Sequence, residues 1–275
     1  MICFSNAKIN VGLHITGKRA DGYHNIETMF YPVGLSDIIE VLPLDPEGQD
    51  TFLSTGNAID ADPDDNLCLR ALRVLQSGVA TGRVRIHLHK IIPQGAGLGG
   101  GSSNAAFVIK GVNELFKSGM QESEMALLAA RIGSDCPFFI YNSPMFAKGR
   151  GDILEHAGID LSGYRILIVF PGFGVNTARA YSKIKVRQGR SPLREVIGPD
   201  PSNWRGSVVN DFEEPVIQEY PVIGDIKRKL DAAGALYASM TGSGSAIYGI
   251  FAGNTDTAGV KEMFNDMFVW SGVLG

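Results

Sequence analysis

Residues 93–106, P-Q-G-A-G-L-G-G-G-S-S-N-A-A, place five glycines and two serines directly before a run of helix-forming residues. Glycine tolerates positive φ and lets the backbone come close to a ligand. The helix that follows presents unpaired N–H groups and the positive end of its dipole. We therefore expect an anion cradle, and the phosphates of a nucleotide are the anion that this arrangement favours.

The glycine loop fits neither of two common phosphate motifs well, nor a flexible linker. A P-loop requires a G-K-[ST] ending, whereas this loop ends Gly101-Ser102-Ser103 without a lysine. The glycines at 95, 97 and 100 fit the spacing of a dinucleotide fingerprint. That fingerprint also requires an acidic residue about twenty residues further on, and none lies near the required position, since only the acidic residues at 114, 122 and 124 follow, in helical context. A flexible linker is not expected after the alternating strand pattern of residues 84–92.

A second glycine cluster, S-M-T-G-S-G-S-A at residues 239–246, precedes the apolar run 247–251. It indicates a tight turn, rich in N–H and hydroxyl donors, that leads into a buried strand. The same pattern fits an ordinary hairpin turn, so both interpretations stay open.

The N-terminal segment 5–13 alternates apolar and polar residues, as a half-buried strand does. Lys8 falls on the polar side with Asn6 and Asn10. A solvated lysine on a strand face is the commoner outcome for this residue type, and a functional ammonium is the alternative.

Two further segments contain residue types that are common at catalytic sites. An Asp-Gly turn presents Tyr23 and His24 side by side, which a plain surface turn also does. Asp135 follows a helix that ends near Gly133 and precedes a proline and two phenylalanines. This aspartate either caps the next turn or, beside a phosphate loop, accepts a proton from a hydroxyl nucleophile.

In this order, these segments resemble the GHMP kinase superfamily, whose signature is an N-terminal lysine strand, a P-x-x-x-G-L-G-G/S-S-S loop and a late G-x-G-S loop. The similarity runs from about residue 5 to residue 251 and is greatest to members that act on a cytidine-diphosphate-linked methylerythritol. The stretches that carry it are 7–10, 19–24, 95–103, 133–139 and 241–244.

The resemblance implies transfer of the γ-phosphate of ATP to the 2-hydroxyl of the methylerythritol unit, in non-mevalonate isoprenoid precursor biosynthesis. Asp135 matches the catalytic base and Lys8 its cationic neighbour. A tertiary alcohol is a poor nucleophile, so a carboxylate that takes its proton is useful. A fixed ammonium keeps that carboxylate ionised and offsets charge on the moving phosphoryl group.

The resemblance also implies two sets of binding residues. Those expected at ATP are Pro93, Gly95, Ala96, Gly97, Leu98, Gly99, Gly100, Gly101, Ser102, Ser103, Asn66, Leu67 and Lys90. Those expected at the acceptor substrate are Asn10, Tyr23, His24, Tyr181, Thr241, Gly242, Ser243 and Gly244. Tyr23 and His24 match a cytidine-recognition pair, and Tyr181 falls where the family often has a second aromatic residue.

Mg²⁺ is expected with ATP, because a bridging cation neutralises phosphate charge in kinase sites. No carboxylate pair stands out as its ligand set. Ser102 or Ser103 is the candidate hydroxyl ligand, with Ser103 preferred, and phosphate oxygens and water complete the shell.

Bulk properties narrow the class of partner. The chain has 275 residues and a net charge of −4, with no basic stripe, so we expect a small-molecule substrate and no nucleic acid. No signal peptide or long apolar span is evident, so we expect no membrane association and a cytoplasmic location. We expect a monomer or a weak homodimer.

The cysteines and histidines add little to the site. Cys3, Cys68 and Cys136 are widely spaced and odd in number, which indicates reduced, buried thiols. His87 and His89 form an H-x-H pattern on one strand face. We interpret that pattern as an exposed strand edge, with metal binding as a minor alternative.

Hydrophobic periodicity predicts an α+β fold. Strands are expected at about 5–16, 25–33, 37–43, 83–92, 164–171, 237–240 and 246–251, and helices at 67–77, 102–116, 122–132 and 222–233. The resemblance divides the chain into an N-terminal nucleotide-binding domain, residues 1–153, and a C-terminal GHMP kinase domain, residues 154–275. It implies a ribosomal-protein-like first domain, a ferredoxin-like second domain and an active site in the cleft between them.

Two alternatives to this function remain. The chain could phosphorylate another small alcohol, such as mevalonate, phosphomevalonate or homoserine, although the Asp-Gly-Tyr-His turn disfavours this. It could instead be a nucleotide-binding regulatory module without catalysis, although the presence of both Lys8 and Asp135 disfavours that.

Overall fold

The computed structural model describes residues 1–59, 65–79, 81–184, 186–187 and 189–275. Its strands are β1 (Ile2–Lys18), β2 (His24–Pro43), β3 (Thr51–Gly56), β4 (Val84–Lys90), β5 (Met145–Lys148), β6 (Ile153–His156), β7 (Arg165–Phe170), β8 (Tyr237–Met240), β9 (Ile247–Phe251) and β10 (Phe268–Val273). Its α-helices are α1 (Leu67–Gln76), α2 (Gly100–Leu115), α3 (Glu122–Ala130), α4 (Cys136–Tyr141), α5 (Thr177–Ser182), α6 (Leu193–Val196), α7 (Glu213–Glu219), α8 (Pro221–Ala232) and α9 (Ala258–Glu262). A 3₁₀ helix covers Pro201–Trp204.

The chain forms two compact units, each built from separate stretches of sequence. The first unit contains Met1–Ala7, Ser36–Gln94 and Gly99–Ser143, and the second contains Lys8–Leu35, Gly95–Leu98 and Pro144–Gly275. The continuous boundary predicted after residue 153 remains a prediction.

The first unit is a sheet with helices packed on one face. Its part of β2 pairs antiparallel with β4, and β3 pairs parallel with β4. Along β4, Val84, Ile86 and Leu88 are buried, which is the alternation that predicted the strand. Helix α2 covers this buried face, because a Cβ at Gly111 would lie 3.5 Å from a methyl group of Val41.

Asp37 is the buried polar centre of the first unit. Its Oδ1 accepts hydrogen bonds from the backbone N–H of Ile91, at 2.6 Å, and of Ile92, at 2.7 Å. Its Oδ2 accepts from Lys90 Nζ at 2.5 Å and from Asn104 Nδ2 at 2.8 Å. One carboxylate therefore ties β2 to the end of β4 and to α2, just before the glycine loop begins.

The second unit contains a four-stranded antiparallel sheet in the order β10-β7-β9-β8. Its own part of β2 pairs with β5, and β5 pairs with β6. Helix α8 packs on the sheet through Ile223, Ile226 and Leu230, which share a core with residues of β7 and β9. The spacing of these residues, three and four apart, is that of an amphipathic helix.

Most predicted elements are confirmed to within a few residues, but two predictions are wrong. The two strands expected at 25–33 and 37–43 are one continuous strand, β2. Gly34 does not interrupt this strand and packs beside the ring of Trp270. His87 and His89 do not lie on an edge strand, because β4 pairs on both sides, with β2 and β3. The Thr55 hydroxyl lies 2.9 Å from His87 Nε2 and 3.0 Å from His89 Nδ1.

Replacing Asp37 by asparagine is expected to lower the free energy of unfolding by about 3–5 kcal/mol, because it leaves the ammonium of Lys90 buried without a countercharge. The side chains of Lys90 and Asp37 are 3% and 0% exposed. The matched control is Asp225→Asn, since the Arg228–Asp225 pair is 72% and 54% exposed and such pairs contribute less than about 1 kcal/mol. Urea unfolding of both variants would measure the difference, and equal losses would contradict the role given to Asp37.

Candidate active site

Lys8 is buried inside the second unit rather than solvated. Its side chain is 3% exposed, and Nζ donates hydrogen bonds to Asn10 Oδ1 at 2.6 Å and to the carbonyl of Gly97 at 3.1 Å. The ammonium also lies 5.0 Å from the centroid of the Phe30 ring. Burial of a lysine is costly unless its charge is used or compensated, so this environment favours the functional interpretation of Lys8.

The hydrogen bonds of Asn10 fix which way its amide faces. Its Nδ2 donates to Thr28 Oγ1 at 3.0 Å, and that hydroxyl donates in turn to the Gly12 carbonyl at 2.5 Å. The backbone carbonyl of Asn10 accepts a hydrogen bond from the Tyr248 hydroxyl at 2.8 Å. Oδ1 is therefore held toward Lys8. Neither Thr28 nor Tyr248 was predicted from the sequence, since each is an ordinary strand residue in its local context.

The two glycine clusters are in direct contact within the second unit. The Thr241 hydroxyl accepts from the backbone N–H of Asn10 at 3.1 Å and lies 3.1 Å from the Gly97 carbonyl, to which it can donate. Gly97 has φ +79°, and a Cβ there would lie 2.2 Å from the Thr241 carbonyl oxygen. The cluster at 239–246 does join the hairpin β8–β9, and in addition it packs against the first loop.

The backbone of the first glycine loop alternates in the sign of φ. Gly95, Gly97 and Gly99 have positive φ, whereas the residues between them do not. Alternation of this kind occurs in anion-binding nests, in which successive N–H groups point to one concave side. The carbonyls of Ala96, Gly97 and Leu98 accept hydrogen bonds from Ala246 N, Lys8 Nζ and Lys8 N, so they are held by the protein.

In the first unit, helix α2 begins at the loop with no side-chain cap. Its N-cap residue is Gly99, which has no side chain to bond the first-turn N–H groups. A Cβ at Gly100 would lie 2.9 Å from Lys90 Nζ, so the Lys90–Asp37 ion pair lies beside this first turn. Burial lowers the pKa of Lys90, and the charge of Asp37 opposes that shift. This geometry favours a supporting role for Lys90 beside the first turn of α2.

The serines of the first turn have different environments. Ser103 is fully buried, and its hydroxyl has no hydrogen-bond partner within the described residues. The Ser102 hydroxyl bonds the thiol of Cys136, which is itself buried. Burial raises the pKa of Cys136 to about 12, so this residue stays a neutral thiol. Cys68 is buried like Cys136, whereas Cys3 is only half-buried, contrary to the sequence prediction.

Asp135 occupies the N-cap position of α4 without serving as a side-chain cap. It is half-buried, its backbone is in the helical region at φ −84° and ψ −15°, and its carboxylate makes no capping hydrogen bond in α4. The helix start instead has Pro137 within its first two positions. The structure thus disfavours a capping role for this aspartate.

Asn66 and Leu67 lie at the start of α1. Asn66 Oδ1 accepts from the backbone N–H of Cys68 at 2.9 Å and of Leu69 at 3.3 Å, which is an N-cap. A Cβ at Gly101 would lie 3.3 Å from a Leu67 methyl group. The Leu67 contact brings the segment to the first turn of α2, and its place near a nucleotide stays a prediction.

The aromatic residues predicted for base recognition separate into two groups in the second unit. His24 stacks on Tyr181 with ring centroids 4.9 Å apart and planes at 19°, and Tyr181 meets the edge of Phe212. Tyr23 is 60% exposed, and the Arg150 guanidinium lies over its ring, 5.5 Å from the ring centroid. The sequence alone could not pair His24 with Tyr181.

Comparisons with known proteins agree with these motifs. The model of the GHMP kinases N-terminal domain matches residues 66–143, and that of the GHMP kinases C-terminal domain matches residues 199–269. A 4-diphosphocytidyl-2-C-methyl-D-erythritol kinase of Parabacteroides distasonis is 43% identical over 274 residues, which is 100% of both chains. The protein of the same name in Bacteroides thetaiotaomicron is 46% identical over 253 residues, covering 91% of this chain and 92% of that relative.

A solved structure gives the same result for the fold. The crystal structure of a 4-(cytidine 5'-diphospho)-2C-methyl-D-erythritol kinase superposes with a TM-score of 0.82 at 30% identity, covering 100% of this chain and 99% of that one. The predicted α+β, two-domain fold is thereby confirmed. Within the described residues, no helix is both long enough and apolar enough to cross a bilayer.

Proposed function

Because the chain belongs to the GHMP kinase family, for which ATP is the phosphate donor, we propose that it phosphorylates the 2-hydroxyl of 4-diphosphocytidyl-2-C-methyl-D-erythritol. The observation that carries this proposal is the buried cluster of Lys8, Asn10, Thr241 and the Gly97 carbonyl. It unites three family motifs that are far apart in the sequence. The identity of the acceptor substrate is inferred from the names of the similar proteins.

In the proposed reaction, the carboxylate of Asp135 takes the proton of the acceptor hydroxyl. The hydroxyl oxygen forms a bond to the γ-phosphorus of ATP as the bond from that phosphorus to the β-phosphate oxygen breaks, and ADP leaves. Lys8 supplies a fixed positive charge that offsets charge on the transferring group. Asn10 and Gly97 each accept a hydrogen bond from that ammonium and help to hold it in place.

The glycine loop and the start of α2 would bind the phosphates of ATP. The N–H groups of the glycine-rich loop and of the first turn of α2 are suitable donors. Residues Asn66 and Leu67 would lie toward the adenine, in line with their place beside that turn.

Mg²⁺, when bound with ATP, would neutralise phosphate charge. The described residues contain no cluster of three or more His, Cys, Asp or Glu side chains suited to a metal. Ser103 fits as a hydroxyl ligand, because its buried oxygen has no partner within the described residues. Phosphate oxygens and water would supply the remaining ligands.

The cytidine would be recognised by Tyr23, His24 and Tyr181. The 4.9 Å stack of His24 on Tyr181 is too close to admit a base between the two rings. The base would therefore stack outside that pair of rings, and the exposed ring of Tyr23 offers a face for it. Thr241, Gly242, Ser243 and Gly244 would contact the acceptor from the second loop. We place this reaction in the cytoplasm, with the enzyme as a monomer or weak homodimer.

The direct test is ATP turnover with Mg²⁺ on three acceptors: the cytidyl-methylerythritol substrate, mevalonate and homoserine. We expect phosphorylation of the cytidyl substrate alone. Asp135→Asn should lower kcat by about a hundredfold or more while the KM for ATP changes little, the usual scale for loss of a positioned base. Asp225→Asn, an exposed aspartate changed in the same way, should retain full activity.

Each other outcome of that assay has a distinct meaning. Turnover of mevalonate or homoserine instead would overturn the acceptor assignment and leave the family intact. ATP binding without turnover of any acceptor would indicate a regulatory module. Full activity of Asp135→Asn would show that this residue is not the base.

Tyr23→Ala is expected to raise the KM for the cytidyl substrate by about tenfold, because base–aromatic stacking contributes about 1–3 kcal/mol. The KM for ATP should not change. Tyr164→Ala removes a half-buried tyrosine outside the motifs and serves as the control. An unchanged KM for the cytidyl substrate in steady-state kinetics would remove Tyr23 from the pocket.

A further inference from the structure

Asn210 holds the second glycine loop from behind, inside the second unit. Its side chain is 4% exposed, and Nδ2 donates to the carbonyl of Met240 at 2.7 Å and to the carbonyl of Gly242 at 2.8 Å. These two carbonyls lie immediately before and after Thr241. One amide group therefore fixes the backbone on both sides of the residue that contacts Asn10 and Gly97.

Asn210 is itself fixed by the strand that carries Lys8. The N–H of Leu13 donates to the Val209 carbonyl at 2.9 Å, and the N–H of Asp211 donates to the Leu13 carbonyl at 2.8 Å. Asn210 Oδ1 accepts from the backbone N–H of Phe212 at 3.0 Å. That acceptor bond sets the amide orientation, so Nδ2 is the group that faces the loop.

We propose that Asn210 is a positioning residue for phosphoryl transfer, since it sets the distance between the Thr241 loop and β1, where Lys8 and Asn10 lie. The inference rests on the proposed function. Asn210 contacts neither the acceptor nor ATP in this scheme, and it acts through the backbone of residues 240–242. We call the two hydrogen bonds from Asn210 to the Met240 and Gly242 carbonyls the bracket. Because a displacement of about 1 Å at a catalytic group can reduce the rate about a hundredfold, the bracket matters for kcat.

Asn210→Asp separates positioning from simple packing. The aspartate has nearly the same shape and keeps the acceptor for Phe212, but when ionised it sets a negative oxygen against the Met240 and Gly242 carbonyls. Burial and those carbonyls would raise its pKa, and the protonated acid could donate one of the lost bonds. The neighbouring charges are paired: Asp211 with Arg190, and Glu213 with Lys227.

The experiment measures kcat and KM against pH for wild type, Asn210→Asp and a control, Asn113→Asp. Asn113 also bridges a turn, by donating to the Met120 carbonyl at 3.3 Å and accepting from Met120 N at 3.0 Å, but it holds no predicted site residue. We expect the kcat of Asn210→Asp to be about ten- to a hundredfold below wild type at high pH and to recover partly as the pH falls. The control should follow the wild-type profile.

Asn210→Ala supplies a second test that does not need turnover. It should increase deuterium uptake in residues 239–246, where the N–H groups of Thr241, Gly244 and Ala246 are hydrogen-bonded. Faster exchange there, with the rest of the unit unchanged, supports the bracket even if Asn210→Asp fails to fold. Unchanged exchange, or a wild-type pH profile of kcat in a folded Asn210→Asp, would overturn the proposal. An inactive wild type would instead contradict the proposed function.

Discussion

The carbonyl oxygen of Gly97 is the point on which the second unit's part of the site depends. It accepts from the Lys8 ammonium at 3.1 Å and lies 3.1 Å from the Thr241 hydroxyl, so strand β1 and both glycine loops meet at one atom. Only glycine fits at this position, because a Cβ would lie 2.2 Å from the Thr241 carbonyl oxygen. The composition of the loop thus follows from backbone packing as well as from the phosphate binding that we propose.

In the first unit, a buried charge pair fixes the backbone. Asp37 satisfies two backbone N–H groups at the end of β4 and also binds Lys90 and Asn104. These bonds fix the chain just before the glycine loop and the helix that follows it. A loop made of glycines has little stiffness of its own, so its rigidity has to come from such fixed ends.

The sequence predicted those parts of the fold and site that depend on local pattern. Alternation placed Lys8 and Asn10 on one side of β1, and the glycine loop before α2 follows from turn and capping chemistry. Long-range contacts were out of reach. The mostly exposed strand β3 is defined by its pairing with β4. Gly34 continues β2 beside Trp270, which comes from the far end of the chain. For the same reason, no local signal identifies the bracket at Asn210.

A double-mutant cycle on unfolding free energy, with Lys8→Met and Thr241→Val, tests the shared carbonyl most directly. Since both side chains use the oxygen of Gly97, we expect a coupling free energy of at least about 0.5 kcal/mol, whatever the sign of the single effects. Effects that add within about 0.3 kcal/mol would contradict this dependence on Gly97. They would mean that the lysine strand and the second glycine loop are stabilised independently.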